Sequence, residues 1–351
     1  MVRFSIFDWI DESGRGLAQT YEERLKMLEF ADEAGYYCYH LAEHHQTSLS
    51  TSPSPNVFLS AAAQRTKRLR LGALTYLLPH QNPLRLLEEI AMLDQLSRGR
   101  LEVGVSRGSA GEVGRGFNFV QGDARAIFKE ALDIVVMGLK TGRIEYHGKY
   151  FDFDGVDTHL RPYQQPYPPL WYPTSNAESV PWLAAQGFST VFGVNQHPTF
   201  DRLVEWMRLY RREWEAHRAD PDRVNGHVSE PFYGFLVHTH VAENDEQARR
   251  QAKAGFSTFV ENFTRRFVGT SDATRYAHLQ DFEKMLDEGK VLVGSPATVR
   301  RLLGRYLQES GANYFVGSFA FGSLTQEQIM TSLNLFAREV MPAMTDLVEA
   351  A

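Results

Sequence analysis

Short apolar runs alternate along the chain with longer segments in which apolar residues recur at helical spacing. Residues 2–7 predict a strand, and residues 21–34 then place Leu25, Leu28 and Ala31 on one helical face. Gly35 follows and ends this predicted helix. The alternation continues with strands at 36–42, 69–78 and 101–106 and with helices at 55–65 and 83–96. Each strand and its helix span about 30–35 residues, as a βαβ unit requires.

The second half of the chain is less regular. Residues 143–154 alternate around Gly148, which predicts a surface hairpin, and the polar stretch 264–291 is the expected mobile excursion. Four further strands are predicted at 170–172, 190–193, 232–241 and 314–319. The accompanying helices are predicted at 123–141, 177–186, 200–219, 245–263, 295–310 and 325–340.

Eight strands that alternate with helices predict an α/β fold, specifically a single (β/α)₈ TIM barrel over residues 1–351, with insertions after the fourth and seventh strands. A doubly wound sheet is the competing fold. Such a sheet normally carries a glycine-rich phosphate loop after its first strand, whereas this chain continues with Asp8-Trp9-Ile10-Asp11. The sequence therefore favours the barrel.

Composition narrows the class of protein. Of the 351 residues, 43% are hydrophobic and 12% aromatic, which is typical of a globular chain and excludes a disordered one. The net charge of −6 argues against nucleic acid as a partner. Cys38 is the single cysteine, so neither an intrachain disulfide nor a cysteine-based zinc site is expected. We see no secretory signal and no membrane-spanning run, and expect a cytoplasmic protein.

Chemically active residues are expected where the predicted strands end, because a barrel builds its active site there. The second strand ends in Glu43-His44-His45, and only one of two adjacent histidines can face the barrel mouth. The fourth strand ends in Ser106-Arg107-Gly108, a hydroxyl and a fixed cation that suit an anionic oxygen. A glycine-rich loop follows, with Gly108, Gly111, Gly114 and Gly116.

Two further segments carry polar groups. The run Thr174-Ser175-Asn176-Ala177-Glu178-Ser179 opens a predicted helix, where hydroxyls, amides and backbone N–H groups can hold a phosphate together with Arg107. His238 and His240 share one face of the seventh strand and have the spacing of a metal-binding pair. Because no further ligands are obvious, we favour a structural role for these two histidines.

Several of these motifs together point to one family. They are Glu43-His44-His45, the segment 71–79, the run Asp94-Gln95-Leu96-Ser97-Arg98-Gly99-Arg100, the pair Arg107-Gly108, and Val293-Gly294-Ser295-Pro296 with the closing residues 336–342. With these residues the sequence resembles the bacterial luciferase-like flavin monooxygenases over nearly its whole length.

The resemblance implies a barrel that binds reduced FMN, supplied by a separate flavin reductase. Arg107 would meet the flavin phosphate, and His44 would act near the reactive flavin carbon as a base or hydrogen-bond donor. A cis peptide bond without proline is implied in the third strand, between Leu74 and Thr75. Luciferase itself carries a reactive cysteine where this chain has Ser106. The implied cofactor-binding residues are Leu74, Thr75, Ser106, Arg107, Ser175, Asn176 and Ser179.

The implied function is a two-component monooxygenase that forms a flavin peroxide from reduced FMN and O2 and oxygenates a small organic substrate. A dry wall protects such a peroxide, and Trp9, Phe117, Phe192 and Phe319 are its candidates. A homodimer through helices 55–65 and 83–96 is a family expectation. Three alternatives stay open: an enzyme that uses the deazaflavin F420, a non-catalytic flavin-binding or regulatory protein, and a metal-dependent hydrolase that uses His44, His238 and His240. The substrate stays open among aldehydes, ketones, terpenes and sulfur compounds.

Overall fold

A mainly parallel sheet forms the centre of the protein. The computed structural model describes residues 2–108, 117, 123–194, 199–267 and 276–344. In these residues nine parallel strands belong to one sheet: β1 (Arg3–Asp8), β2 (Cys38–Leu41), β3 (Arg70–Leu77), β4 (Leu101–Ser106), β7 (Leu170–Trp171), β8 (Thr190–Gly193), β9 (Tyr233–Val241), β10 (Leu292–Gly294) and β11 (Tyr314–Ser318). Strands β5 (Arg143–His147) and β6 (Asp152–Asp157) pair antiparallel, which confirms the predicted hairpin.

The order of the strands distinguishes between the two competing folds. β1 lies between β2 and β11, and β11, β10 and β8 all pair with β9. In a doubly wound sheet the first and last strands are not neighbours, so this order excludes that fold. The order is the one expected of a barrel. Between β7 and β8, however, the described residues show a single bridge, from Trp171 to Ser189, in place of a continuous ladder.

Helices follow the strands as the apolar periodicity predicts. Their bounds are α1 (Leu17–Ala34), α2 (Pro55–Arg65), α3 (Pro83–Ser97), α4 (Ala124–Thr141), α5 (Val180–Ala185), α6 (Phe200–His217), α7 (Asp245–Thr264), α8 (Phe282–Asp287), α9 (Pro296–Ser310) and α10 (Gln326–Leu335). Gly35 ends α1 in the left-handed conformation with φ 84°. Among the described helices, none combines the length and the apolar character that a bilayer crossing needs.

The sequence predicted an excursion at residues 264–291, but the described part of this stretch contains regular structure. Its described part contains the short helix α8, and it leads directly into β10, which pairs in parallel with the far end of β9. The sheet therefore has nine strands where eight were predicted. A strand of three residues is too short to show the alternation by which strands are recognised in a sequence.

Inward-facing polar residues of the central sheet are paired with one another. Glu102, buried on β4, accepts hydrogen bonds from Arg70 of β3 and from the indole N–H of Trp171, the latter at 2.6 Å. A side chain on Gly72 would meet the carbonyl oxygen of Glu102 at 2.6 Å, which explains why a glycine occupies this position of β3.

The motif at 94–100 forms the turn between α3 and β4. Asp94 accepts hydrogen bonds from the backbone N–H of Gln164 at 2.7 Å and from its side-chain amide at 2.8 Å. Arg98 ends α3 in the left-handed conformation with φ 55°. The guanidinium of Arg100 donates to the Thr66 hydroxyl and to the backbone carbonyls of Ala63, Thr66, Leu69 and Ser97. Arg100 therefore joins the ends of α2 and α3 to the start of β3.

We expect Arg100→Ala to lower the free energy of unfolding by about 3 kcal/mol, because several backbone carbonyls lose a charged donor. Arg98→Ala is the matched control, since the Arg98 side chain is exposed and shows no hydrogen bond among the described residues. Urea unfolding of the three proteins measures the difference. A loss no larger for Arg100→Ala than for Arg98→Ala would contradict this role of the motif.

Candidate functional site

A cavity of about 350 Å³ lies at the carboxyl ends of the central strands. This volume is within the range of sites that hold small molecules and cofactors. The structure brings the predicted catalytic residue and all the predicted cofactor-binding residues to this cavity: its lining includes His44, Leu74, Thr75, Ser106, Arg107, Ser175, Asn176 and Ser179. They come from the ends of β2, β3, β4 and β7, which the parallel pairing places side by side.

The two adjacent histidines after β2 have different surroundings, as the alternation of side chains predicts. His44 is partly buried and lines the cavity. His45 donates from Nε2 to the Glu43 carboxylate at 2.8 Å and packs against the rings of His80 and Phe117. His44 is therefore the histidine of this pair that lines the cavity.

Glu43 was not nominated as a site residue, yet it connects two sides of the cavity. Its side chain is fully buried and accepts hydrogen bonds from three donors. They are His45 at 2.8 Å, the backbone N–H of Leu77 at 3.0 Å and the side-chain amide of Gln81 at 2.8 Å. The end of β2, which carries His44, is thereby tied to the end of β3. A carboxylate between an apolar strand and two histidines is the sequence signal that points to such a residue.

Strands β3 and β4 meet irregularly beside the cavity. The peptide bond between Leu74 and Thr75 is cis, at the position that the resemblance implied. The pairing of β3 with β4 shifts between Ala73 and Tyr76. The hydroxyls of Thr75 and Ser106 lie 2.5 Å apart, so the two strands are joined by side chains next to this shift.

Arg107 places a cation at the rim of the cavity. Its side chain is exposed and has no hydrogen-bond or ion-pair partner within the described part of the chain. Burial raises the pKa of the neighbouring Tyr172 phenol, and the positive charges of Arg107 and Arg125 partly offset that effect. The guanidinium of Arg107 is therefore available for an anionic ligand in the cavity.

The turn at 174–179 uses part of its polar groups for its own structure. The Asn176 side-chain oxygen accepts from the Glu178 N–H at 3.0 Å, and the Thr174 hydroxyl accepts from the Asn176 N–H at 3.0 Å. The donors left for a ligand at the cavity are the side-chain amide of Asn176 and the hydroxyls of Ser175 and Ser179. The turn thus offers fewer groups than its sequence suggests, but they face the same cavity as Arg107.

Aromatic residues line the cavity, although mostly not the predicted ones. Trp9 is the one predicted residue of the dry wall that lines it. Phe117 packs on His45, while Phe192 packs on Trp206 and Phe319 on Phe336. Side-chain direction decides this, and it could not be assigned from the sequence in these segments. The aromatic and aliphatic lining includes Phe7, Trp9, Val191, Leu236, Phe263 and Tyr276, together with Ala42, Leu74, Leu77, Tyr172 and Pro173. The predicted loop glycines Gly111, Gly114 and Gly116 lie outside the described residues.

Comparison with known proteins places the chain in a family. The family model described as luciferase-like monooxygenase matches residues 2–314. The chain belongs to the luciferase-like monooxygenase family. This confirms the resemblance that the sequence motifs carry, and the chain shares the family's α/β fold with its mainly parallel central sheet.

Two relatives illustrate the range of the family. An uncharacterized protein of Sinorhizobium fredii, y4wF, is 36% identical over 340 residues, which cover 96% of each chain. The oxygenase component of a flavin-dependent trigonelline monooxygenase from Acinetobacter baylyi is 27% identical over 254 residues, which cover 71% of this chain and 67% of that protein.

Solved structures share the fold along almost the entire chain. Monooxygenase RslO1 from Streptomyces bottropensis has a TM-score of 0.86 at 25% identity and covers 97% of this chain and 99% of its own. The oxygenating constituent of 3,6-diketocamphane monooxygenase from Pseudomonas putida, in complex with FMN, has a TM-score of 0.82 at 21% identity, with coverage of 98% and 99%. The coenzyme F420 dependent tetrahydromethanopterin reductase from Methanopyrus kandleri has a TM-score of 0.70 at 18% identity, with coverage of 98% and 99%.

The histidines considered for a metal site do not form one with His44. His238 is fully buried and stacks on Trp9, and His240 pairs with the Gln251 side chain at 2.9 Å. Within the residues that the structure describes, one trio has ligand atoms close enough for a metal, and it lies exposed on the β5–β6 hairpin: Glu145, His147 and Asp154. The geometry therefore does not support a metal-dependent hydrolase built on His44, His238 and His240.

A second cleft, of about 680 Å³, opens beside the loops that follow β1 and β2. It is larger than the cavity at His44, but none of the nominated residues lines it. Asp11 lies at its edge and is buried. Its carboxylate accepts from the Gly322 N–H at 2.9 Å and from the Asn262 amide at 3.1 Å. Burial raises the pKa of Asp11 to about 7, against the lowering effects of the Asn262 hydrogen bond and the charge of Arg24.

We expect the buried Asp11 to make stability depend on pH. Its folded-state pKa lies above the ordinary value of 3.8, so the folded protein keeps a proton that the unfolded chain has already released. This contribution to the free energy of unfolding is complete below about pH 4 and is lost as the pH rises through about 7. From pH 5 to pH 8, wild type should lose roughly 2–3 kcal/mol relative to Asp11→Asn.

Urea unfolding of wild type and Asp11→Asn at several pH values measures this difference. Asp154→Asn, at an exposed position on the hairpin, is the control and should follow wild type at every pH. Parallel pH profiles for wild type and Asp11→Asn would show that Asp11 does not titrate in this range.

Proposed function

We propose that this chain is the oxygenase component of a two-component flavin monooxygenase, which uses reduced FMN and O2 to oxygenate a small organic molecule. One observation carries the proposal. An exposed arginine and several hydroxyls line the same cavity as His44. Family membership supports the reaction class, since relatives are named as flavin-dependent monooxygenases.

The residues at the cavity fit FMN. Arg107 offers a cation without a partner in the described chain, and Ser175 and Ser179 add hydroxyl donors, which is the donor set that a phosphate needs. The solved Pseudomonas structure holds FMN on the same fold. When bound, reduced FMN supplies the electrons that activate O2. The relative named as an oxygenase component suggests that a separate reductase delivers it.

Each of the side chains at the cavity would then have a separate role in binding or reaction. Arg107 binds the phosphate, and Thr75 and Ser106 support the flavin where β3 and β4 meet. His44 holds or donates a proton at an imidazole nitrogen facing the cavity. Glu43 acts as a positioning residue, because its hydrogen bond to Leu77 fixes the segment that carries His44 against β3. The aromatic lining keeps water away from the reaction.

A pair of variants tests the proposal by separating cofactor binding from reaction. We expect Arg107→Gln to weaken FMN binding by about 10- to 100-fold, since a charge-assisted contact worth about 1.5–3 kcal/mol is lost. We expect His44→Ala to keep FMN affinity within about twofold while abolishing oxygenated product. Calorimetry with FMN and product analysis with reduced FMN and O2 give the two readouts.

Arg218→Gln is the matched control, because it removes the same charge at the carboxyl end of α6, outside the lining of the cavity, and should leave FMN binding unchanged. Equal FMN affinity for Arg107→Gln and wild type would refute the phosphate role. Unchanged product formation by His44→Ala would refute the role of the histidine. Tighter binding of F420 than of FMN would favour an F420-dependent oxidoreductase, and flavin binding without any turnover would favour a non-catalytic flavin protein.

A homodimer through α2 and α3 is the second part of the proposal. These helices lie side by side, as the hydrogen bond from Asn56 to Glu89 shows. Their outer surface exposes three large apolar side chains, Val57 at 73%, Met92 at 53% and Leu96 at 42%. Clustered apolar groups on a surface mark interaction sites, and a second copy of the chain would cover them.

We expect sedimentation to show a dimer for wild type and a monomer for Val57→Glu with Met92→Glu, because the new charges would be buried at the interface without partners. Leu160→Glu introduces the same charge at another exposed leucine, 43% accessible, and should remain dimeric. A monomeric wild type, or a double variant that stays dimeric, would exclude this interface.

A further inference from the structure

The second cleft, of about 680 Å³, has a lining of its own. The loop after β1, the loop after β2, the first turn of α1 and Arg265 supply its described residues. None of these residues lines the cavity at His44. The volume is within the range of sites that hold small molecules, so the polar groups of the cleft can be considered as a ligand site in their own right.

Three polar side chains of this lining have buried atoms that lack a hydrogen-bond partner in the described part of the chain. These atoms are the hydroxyl oxygens of Ser13 and Ser48 and Nη2 of Arg15. Buried polar atoms in folded proteins are nearly always paired, so each exception needs an explanation. All three groups can donate a hydrogen bond, and the guanidinium can only donate. A ligand with acceptor oxygens in the cleft would account for the three together.

The threonines of the lining differ from the serines, because the protein itself uses their hydroxyls. Thr20 donates to the Gly16 carbonyl at 3.2 Å, and Thr51 donates to the Ile10 carbonyl at 2.8 Å. Thr47 accepts from a backbone N–H at 3.1 Å. The two serines are therefore the hydroxyls left for a ligand, and each can turn toward it about a single side-chain bond.

The guanidinium of Arg15 is fixed on one side by contacts within the protein. Its Nη1 donates to the Leu324 carbonyl at 2.9 Å, and its Nε lies 3.2 Å from a carboxylate oxygen of Glu23. These contacts orient the planar group before any ligand binds. A preset guanidinium matches the geometry of carboxylate and phosphate oxygens and loses little freedom when it binds them.

The amino terminus of α1 adds positive potential to the same cleft. Gly16 occupies the capping position before the helix and has no side chain to accept from the first turn, which also contains no acidic residue. Backbone N–H groups in the first turn of a helix lack intrahelical partners, and the helix dipole is positive there. Gly16 and Leu17 both line the cleft, so this end of α1 supports the binding of an anion beside Arg15.

Two acidic residues of the lining oppose an anion only weakly. Asp11 is buried, and burial raises its pKa to about 7, so most molecules carry it uncharged under slightly acidic conditions. Glu12 is exposed, where water and salt screen its charge. Arg265, also exposed, adds a second cation to the lining.

We propose that this cleft is a second ligand site, which holds the carboxylate or phosphate group of a small polar anion between Arg15, Ser13 and Ser48. The ligand is an oxyanion because the buried atoms without a partner in the described lining are all donors, the cation among them. The proposal does not depend on the flavin site, since the two linings share no described residue.

Three probes that share one carbon skeleton test the ligand class: glycerol, glycerate and glycerol 3-phosphate. Calorimetry on the full chain at low salt and about pH 6.5 measures their affinities. We expect at least one of the two anions to bind at least tenfold more tightly than glycerol, and the tighter one identifies carboxylate or phosphate as the recognised group. Failure of both anions to bind more tightly than glycerol overturns the proposal.

Variants of the lining locate the anion. We expect Ser13→Ala and Ser48→Ala each to weaken binding of the tighter anion by about threefold to tenfold, because a donor is lost, and Arg15→Gln to weaken it at least tenfold. The serine variants keep the test valid if Arg15→Gln fails to fold, since each removes a hydroxyl without a partner in the described chain. Arg143→Gln is the matched control.

Arg143 is an exposed arginine on the β5–β6 hairpin that also pairs with a carboxylate, that of Asp157 at 3.0 Å. Its variant should bind the anion like wild type. Unchanged affinity in both serine variants would overturn the assignment of the anion to this cleft.

A last comparison separates this site from the proposed flavin site, where a phosphate probe could also bind. We expect Arg107→Gln to leave the affinity for the anion unchanged, and Ser48→Ala to leave FMN affinity unchanged. If Arg107→Gln weakens the anion and the serine variants do not, the anion occupies the cavity at His44 and the second site is refuted. If FMN does not bind while the anion responds to Ser13→Ala and Ser48→Ala, the proposed function fails and this site stands.

Discussion

Parallel pairing of the central strands is the constraint on which the site depends. β1 lies between β2 and β11, and β3, β4 and β7 continue outward from β2 in the same direction. These strands therefore end at the same edge, where His44, Arg107 and Ser175 follow β2, β4 and β7 and Thr75 lies near the end of β3. Residues far apart in the sequence share one cavity because their strands are parallel neighbours, and a change of strand order would disperse them.

The buried polar groups around the cavity are paired within the protein, whereas an exposed cation at the cavity is not paired with any described residue. Glu43 is buried and has three donors, and the hydroxyls of Thr75 and Ser106 face each other. Buried polar groups need such partners because desolvation is costly. Arg107 differs, since it is exposed and has no partner in the described chain. Among the described residues that line the cavity, Arg107 is therefore the cation that a ligand can meet.

Several features of the fold and site were predictable because they depend on local periodicity. The alternation of strands and helices and the β5–β6 hairpin both follow from spacing along the chain. The different surroundings of His44 and His45 follow from the alternation of side chains at a strand end. The cis bond at Leu74 came from the family resemblance, since no local pattern marks it.

The order and type of the elements, and the chemical groups at their ends, follow from local patterns, because apolar spacing and turn residues act over a few positions. Packing in three dimensions sets the remaining features. It added the short strand β10, turned Phe192 and Phe319 into the core instead of the cavity, and placed His238 behind Trp9. These outcomes depend on packing between segments distant in sequence, where the direction of each side chain is set by neighbours that no local pattern specifies.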